Sequence, residues 1–393
     1  MQERLQRFGG WLAGMVIPNI GAFIAWGLIT ALVIPTGWLA ELGFGGGNDG
    51  EIWGDLTGAL VGPMIKYMLP ALVAYTGGKL VHGHRGGVLA VIAVFGVIGG
   101  AAFEIESAGE TIGGDPPQFL GAMVIGPLAG FVMKKIDEFL EPRTPTGFEM
   151  LFNNFSQGFA GLGLAFLGYW IVGPIMSALA RAFGNMVEGI ADAGLLPLAD
   201  IPIEVAKVLF LNNAINHGVL TPLGATDVAD SGRSIYFMLE SNPGPGLGLL
   251  GAYWFASKGL AKMAAAGATV IHFLGGIHEV YFPYVLMNPV MIGAMWAGGI
   301  SADIVFVATD AGLVGPPSPG SIFAYLTLLP TSGGAAFGVL AGVAVGAVAS
   351  FFVGSILLRL FPVAEMTDLE DDGASLADAM PDVPGMNLPG ASA

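Results

Sequence analysis

The sequence predicts an all-α polytopic membrane protein with about 8–10 transmembrane helices and additional re-entrant hairpins. Only 11% of the 393 residues are charged, whereas soluble domains carry about 25%. Residues 8–40, 150–180 and 311–358 contain no charged side chain, which gives uninterrupted runs of 33, 31 and 48 residues. Because a helix needs about 20 apolar residues to cross a bilayer, these runs exclude an ordinary soluble enzyme.

The first half of the chain predicts a regular series of spans. Basic and acidic connections alternate, and basic residues favour the cytoplasmic side, so we expect the N-terminus to be cytoplasmic. The predicted spans are 12–36, 57–76, 86–103 and 118–133, with acidic connections at 41–55 and 104–115 and basic connections at 79–85 and 134–143.

The second half predicts broken helices. After a span over 150–180 and an interfacial piece over 182–204, Gly, Pro, Asn and His interrupt the apolar sequence repeatedly. Irregular backbone within a membrane is tolerated only where it is buried or lines a cavity. The predicted segments are 205–226, 234–256, 261–279, 280–300, 302–330 and a closing apolar run, 331–361.

The formal charge of −16 lies partly in a separate tail. Residues 362–393 contain acidic residues and no Lys or Arg, so we expect a disordered cytoplasmic tail. The rest of the chain is also acidic, which makes nucleic acid an unexpected partner. The sequence contains no cysteine, so it can form neither a disulfide nor a phosphocysteine. We expect no metal and no cofactor.

A first polar cluster interrupts an apolar stretch at 211–218. It comprises Asn212, Asn213, Asn216 and His217. Each amide offers two donors and one acceptor group, and burying it without partners is costly. A polyhydroxylated ligand would satisfy these groups. A hydrogen-bonded contact between helices is the alternative.

A second cluster is the Gly-Gly-Ile-His-Glu sequence at 275–279. Its glutamate, Glu279, lies between apolar segments, where an ionisable group indicates function. Its carboxylate could accept hydroxyl donors from a sugar or act as a general base. The alternatives are a salt bridge from Glu279 to Lys207 and a structural role for His278.

Two further features carry polar groups. Glu240 precedes Pro243-Gly244-Pro245-Gly246, which predicts a turn or a re-entrant tip; Glu240 either faces the site or caps that turn. The predicted cytoplasmic loop at 79–85 is a candidate docking surface for a phosphorylated partner, with simple topological anchoring as the alternative. Its candidate residues are Lys79, His82, His84 and Arg85.

Several long motifs resemble the membrane IIC component of the mannitol phosphotransferase system. They are the Pro-Asn-Ile-Gly-Ala-Phe-Ile-Ala-Trp-Gly sequence at 18–27, Asn-Asn-Ala-Ile-Asn-His-Gly at 212–218, Asn-Pro-Gly-Pro-Gly at 242–246, and 275–289. The resemblance covers about residues 5–360. It implies binding of mannitol or a close hexitol, with Glu279, Asn216 and His217 at the site.

The resemblance also implies an architecture and a set of partners. We expect a homodimer in the inner membrane with both termini cytoplasmic. Residues 1–143 would form the scaffold and dimer contact, 144–361 an elevator-type transport region whose last helix could rejoin the scaffold, and 362–393 the tail. A IIB phosphocysteine, supplied through IIA, HPr and enzyme I, would phosphorylate the sugar.

The absence of cysteine departs from relatives that carry IIB on the same chain. The resemblance therefore implies a separate IIB protein, or a chain that stops short of one. Two alternatives remain at this point: a phosphorylation-independent or ion-coupled sugar transporter with the same fold, and a membrane sugar sensor that signals through the acidic tail.

Overall fold

The computed structural model describes residues 11–12, 14–33, 39, 56–101, 103–107, 110–114, 117–317, 319–331 and 333–362. Helices dominate these residues, which confirms the predicted all-α class. Five helical segments are long and apolar enough to cross a membrane: Gly58–Gly100, Phe119–Arg143, Glu149–Asp192, Pro289–Ala308 and Gly333–Leu360. The acidic connection at 41–55 and the tail at 363–393 lie outside the described residues.

Helix α1 (Ile20–Val33) follows a 3₁₀ turn at Ile17–Asn19 and is held by side chains just before its start and near its middle. The Asn19 side chain donates to the Thr76 hydroxyl at 2.8 Å. The Trp26 indole donates to the Val61 carbonyl at 3.1 Å. These bonds hold α1 against the next apolar segment and satisfy polar groups that would be costly to bury alone.

Helix α2 (Leu69–Gly100) follows π-helical turns at Thr57–Val61 and Met64–Met68 and doubles back on itself. His82 and Gly83 have non-helical backbone angles, and Gly83 has a φ of +55°, which favours glycine. A Cβ on Gly78 would lie 2.3 Å from the Gly86 carbonyl oxygen. The two halves are therefore antiparallel, as the separate predicted spans at 57–76 and 86–103 require.

A two-stranded antiparallel hairpin and helix α3 (Phe119–Leu140) come next. Strands β1 (Phe103–Ser107) and β2 (Glu110–Gly114) occupy the acidic connection that the sequence predicted as a loop. Alternation of Ile105 and Ile112 with polar neighbours suits a short pleated ribbon. Helix α3 then packs closely on the first half of α2, where Gly126 and Gly130 allow contact.

Helices α4 (Glu149–Leu167) and α5 (Gly173–Asp192) form one long segment through a π-helical turn at Gly168–Val172. The predicted end of this span at Arg181 is wrong. Arg181 lies on an exposed position of α5, so its charge does not require the helix to stop there. The predicted interfacial piece at 182–204 consequently divides between α5 and the next helix.

The second half is built from short helices, as predicted. They are α6 (Asp200–Val208), α7 (Asn212–Ile215), α8 (Thr221–Ser231), α9 (Tyr236–Leu239), α10 (Pro243–Ala256), α11 (Gly259–Phe273), α12 (Phe282–Met287), α13 (Ile292–Ala308), α14 (Ile322–Thr327) and the long α15 (Gly333–Leu360). Helix α13 runs through the predicted boundary at 300–302, whereas the closing run at 331–361 is a helix as predicted. Helix α15 packs against α10 and α13.

The predicted turn at Pro243-Gly244-Pro245-Gly246 is also wrong. These residues form the first turn of α10, and the Asn242 side chain caps it by accepting from the Gly244 amide at 2.9 Å. The first amides of a helix lack intrahelical carbonyl partners, so proline is tolerated there. The irregular backbone lies one step earlier, at Glu240–Asn242.

Candidate functional site

Asn212 and Glu279 meet in the interior of the second half. The Asn212 Nδ2 donates to Glu279 Oε1 at 3.0 Å. Both side chains are buried, with 6% of each residue exposed. The two polar clusters found in the sequence therefore belong to one site. The alternative salt bridge from Glu279 to Lys207 is not formed, because the Lys207 ammonium donates to Glu204 at 2.9 Å.

Asn216 and Glu240 form a second amide–carboxylate pair. The Asn216 Nδ2 donates to Glu240 Oε2 at 2.8 Å, and the Thr221 hydroxyl donates to Asn216 Oδ1 at 3.2 Å. The other oxygen of Glu240 lies 4.0 Å from His278 Nδ1. Glu240 thus faces the site, while the cap of α10 is Asn242.

Breaks in the helices bring these side chains together. Phe210 adopts a φ of +60° between α6 and α7, which turns the chain so that Asn212 enters the site. Gly276 has a φ of +75° and turns the chain between α11 and the next segment. His278–Val280 then forms a single 3₁₀ turn. The glycines at 275–276 therefore lie at a break between α11 and this turn.

Burial dominates the electrostatics of both carboxylates, which lie in short segments outside the five long apolar helices. Burial raises the pKa of Glu240 to about 7, and the nearby Glu279 adds to the rise while Lys207 opposes it. Burial also raises the pKa of Glu279, and the hydrogen bond from Asn212 opposes that shift. Each carboxylate is thus held in a setting that favours a partner donating hydrogen bonds.

Three aromatic rings pack beside the carboxylates. His272, His278 and Tyr281 stand with ring centroids 4.7 to 5.8 Å apart. His272 Nε2 lies 2.9 Å from the Pro243 carbonyl oxygen, and His278 Nε2 lies 3.4 Å from that of Gly320. His272 is a fully buried histidine in the protein core. His278 stands between the site and the irregular segment before α14.

A cavity of about 160 Å³ opens on Glu279. Its walls are otherwise largely apolar and come from α1, α11 and the segment around α12. The lining residues include Phe23, Met263, Val280, Pro283 and Tyr284. The Glu279 carboxyl group is consequently reachable from a small enclosed space beside α1.

Sequence reasoning missed three buried acidic residues close to the site. Asp200 and Glu204 lie on α6, and Asp303 lies on α13; each is 1% exposed. The signal was visible for α6, because Asp200, Glu204 and Lys207 have the spacing of one helical face. Asp303 gave no local signal, since its apolar helix reaches α6 only through the fold.

The predicted docking residues divide into two groups. Arg85 donates two hydrogen bonds of 2.8 Å to Asp137, and His82 Nε2 lies 2.8 Å from the same carboxylate. Lys79 and His84 are exposed. Arg85 and His82 therefore serve packing between α2 and α3, which leaves Lys79 and His84 as the more accessible candidates.

Two predicted site residues belong to helical backbone whose side chains lie outside the described part of the structure. Asn213 is in α7, and His217 is in the π-helical turn at Asn216–Leu220. Their roles stay predictions. Within the described ranges, no group of three or more His, Asp or Glu side chains is arranged to hold a metal ion.

Comparisons with known proteins agree over most of the chain. A sequence profile for "Phosphotransferase system, EIIC" matches residues 13–298. The "PTS system mannitol-specific EIICB component" of Geobacillus stearothermophilus is 53% identical over 91% of this chain and 70% of its own length. The protein of the same name from Bacillus subtilis is 46% identical over 100% and 75%. The "PTS system mannitol-specific EIICBA component" of Escherichia coli is 48% identical over 93% and 53%.

Proposed function

The chain belongs to the EIIC family of the phosphotransferase system, and from that premise we propose that it binds mannitol and carries it across the membrane for phosphorylation. The family makes it a multi-pass membrane transport component. Mannitol is the substrate named for the relatives at about 50% identity. A close hexitol would offer the same hydroxyl chemistry.

The pairing of two amides, one buried and one half-buried, with two buried carboxylates carries this proposal. Asn212–Glu279 and Asn216–Glu240 together supply carboxylate acceptors, amide donors and amide acceptors in one place. A polyol carries a hydroxyl on every carbon, and each hydroxyl both donates and accepts. An apolar ligand or an inorganic ion would leave most of these groups unsatisfied.

Glu279 is the proposed acid–base residue at this site. Its carboxylate would accept a hydrogen bond from the hydroxyl that is to be phosphorylated. The phosphoryl group passes from a cysteine sulfur to that hydroxyl oxygen, and the hydroxyl proton passes to the carboxylate as the oxygen–phosphorus bond forms. His278, Asn213 and His217 are proposed to line the same substrate site.

The phosphoryl donor is proposed to reside on a separate IIB protein. These 393 residues contain no cysteine, whereas the relatives named above are EIICB or EIICBA proteins. IIA, HPr and enzyme I would supply the phosphoryl group to IIB. Lys79 and His84 would contribute to the cytoplasmic docking surface.

The proposed transport motion divides the chain at about residue 143. The hydrogen bonds that the described site residues make with one another come from segments beyond that position, which supports a transport region over 144–361 that moves as an elevator. Residues 1–143 would form the scaffold and the homodimer contact. The protein would sit in the inner membrane with both termini cytoplasmic.

Uptake into proteoliposomes tests the proposed function. Purified protein is reconstituted and supplied on the cytoplasmic side with IIB, IIA, HPr, enzyme I and phosphoenolpyruvate. We expect radiolabelled mannitol to accumulate as its phosphate ester, and to do so only when phosphorylated IIB is present. Equal uptake without the phosphoryl donor would instead indicate a phosphorylation-independent transporter, and failure to bind mannitol would reject the substrate.

A further inference from the structure

A group of ionisable side chains lies beside the sugar site without taking part in it. Asp200, Glu204 and Lys207 share one face of α6, and Asp303 faces them from α13. Asp200, Glu204 and Asp303 are each 1% exposed, and Lys207 is fully buried. Among the described residues, Lys207 is the only buried Lys or Arg.

The charges of this group do not balance. The Lys207 ammonium binds the Glu204 carboxylate at 2.9 Å, which leaves Asp200 and Asp303 without a cation of their own. Transferring an unpaired carboxylate from water into a low-dielectric interior costs several kcal/mol or more, so a buried carboxylate normally acquires a partner or a proton. Two adjacent carboxylates increase that cost because they repel each other.

Three of the carboxyl oxygens of Asp200 and Asp303 lack a hydrogen-bond donor. The Asp200 carboxyl group lies against Gly299 of α13, one helical turn before Asp303. Asp200 Oδ1 and both oxygens of Asp303 are buried without a hydrogen-bond donor. Two ionised carboxylates have no hydrogen to share. A single proton between them would provide the donor and remove one charge.

The packing of α6 against α13 holds the pair in place. A Cβ on Gly299 would lie 1.8 Å from Asp200 Oδ2, so glycine leaves the space that this carboxyl group occupies, one helical turn before Asp303. The Trp296 indole donates to the Ile201 carbonyl at 3.1 Å. These contacts on both sides of the pair fix the two helices in register.

The Tyr281 hydroxyl is a further buried group without a hydrogen-bond partner, and its ring lies near Lys207. The Tyr281 side chain is fully buried, and its hydroxyl has no hydrogen-bond partner. The Lys207 ammonium lies 5.8 Å from the centre of its ring. The Tyr281 hydroxyl therefore donates to none of the three unpartnered aspartate oxygens.

We propose that Asp200 and Asp303 form a proton-binding site that holds one proton between their carboxyl groups. This proposal goes beyond sugar binding and does not depend on which sugar is transported. The charged and titratable groups that face the pair are Glu204 and Lys207 on α6, Glu240 from the sugar site, and the hydroxyl of Tyr325.

Proton binding by the folded protein has a defined consequence for stability. The unfolded chain exposes both aspartates, which ionise at about pH 4. The folded protein retains a proton above that pH, so folding takes up a proton and stability falls as the pH rises, until the pair also ionises. Replacing one aspartate by asparagine supplies a permanent N–H donor and should remove this dependence.

Infrared difference spectroscopy of the purified full chain in an ester-free detergent tests the site. At neutral pH we expect a carboxylic-acid carbonyl band that shifts in heavy water and is lost in both D200N and D303N. The band should persist in E240Q and E204Q, and in E188Q, a control at an exposed position of α5. Absence of the band from the wild-type protein would overturn the proposal, and this result needs no variant to fold.

A thermal-unfolding series provides the second readout. The wild-type melting temperature should fall between pH 5 and pH 8 by several degrees more than that of D303N, with E188Q behaving like wild type. The series is run in choline, sodium and potassium chloride at equal ionic strength. A rise in melting temperature with sodium or potassium that D303N abolishes would assign the pair to a monovalent cation and overturn the proton site. Loss of the infrared band in E240Q alone would place the proton on the sugar site instead.

Discussion

Asn212 donates a hydrogen bond to Glu279 across 67 positions of sequence, and both side chains are buried. Asn216, which is half-buried, donates in the same way to Glu240. In each pair carboxylate lone pairs are left for other donors, whereas the Asn216 carbonyl already accepts from the Thr221 hydroxyl. The pairs therefore stay polar toward a ligand while satisfying each other in its absence.

Glu279→Gln should weaken mannitol binding by at least about tenfold, which corresponds to about 1.4 kcal/mol. Glutamine keeps the size of the side chain but replaces one acceptor oxygen with a donor, so the Asn212 amide and the sugar hydroxyls compete for a single oxygen. Isothermal titration of the purified protein with mannitol measures the change.

Glu188→Gln is the matched control for that substitution. Glu188 is exposed on α5, so removing its charge should leave the dissociation constant unchanged. Assembly of the protein on size exclusion should be the same for both variants. Tight mannitol binding by Glu279→Gln would show that this carboxylate is not a sugar ligand.

Lys207→Met should lower the free energy of unfolding by about 3–5 kcal/mol, because it leaves the buried Glu204 carboxylate without its cation. The double variant Glu204→Gln with Lys207→Met should recover much of the loss. Thermal unfolding in detergent measures both. Lys262→Met on the exposed face of α11 is the control, and an equal loss there would mean that the effect does not come from the buried pair.

Gly246→Ala should destabilise the protein by about 1–3 kcal/mol through overpacking. The added Cβ would lie 2.4 Å from His272 Nε2 and 2.7 Å from the Tyr281 ring, and neither ring can move away freely. The hydrogen bond from His272 to the Pro243 carbonyl should be disturbed with it.

Gly267→Ala is the control for this steric argument. Gly267 lies within α11, and nothing lies within 4 Å of the Cβ that alanine would add. Since alanine favours a helix over glycine by about 1 kcal/mol, Gly267→Ala should be neutral or stabilising. A stable Gly246→Ala variant with unchanged melting temperature would contradict the close packing at His272.

The sequence indicated which polar side chains meet at the candidate site, but not how they are paired. Asn212, Asn216 and Glu279 were recognisable because amides and a carboxylate interrupt apolar runs. Which amide meets which carboxylate depends on breaks at Phe210 and Gly276, and φ at a phenylalanine cannot be read from local sequence. Long-range contacts of this kind are set by tertiary packing.

The errors in the predicted elements have physical reasons. Proline and glycine at 243–246 predicted a turn because both disfavour helix interiors. Both prolines nevertheless occupy first-turn positions, where the backbone has no intrahelical N–H hydrogen bond to lose. The span predicted to end at Arg181 continued because an exposed charge does not end a helix. Asp303 could not be linked to Asp200 without knowing that α13 packs on α6.

Arg85→Lys should destabilise the protein by about 2–4 kcal/mol, although the substitution keeps the positive charge. Arg85 binds both oxygens of Asp137 at 2.8 Å and also donates to the Asn153 carbonyl and the Ser156 hydroxyl. Lysine keeps the charge but cannot reproduce this planar, multiply bonded geometry. Thermal unfolding of the purified variant measures the loss.

Lys135→Ala is the control: it breaks an exposed ion pair with Glu138 and should cost at most about 1 kcal/mol. If Arg85→Lys unfolds at the wild-type temperature, Arg85 is free to act in partner docking, and the IIB-dependent uptake rate of the variant would then identify that role.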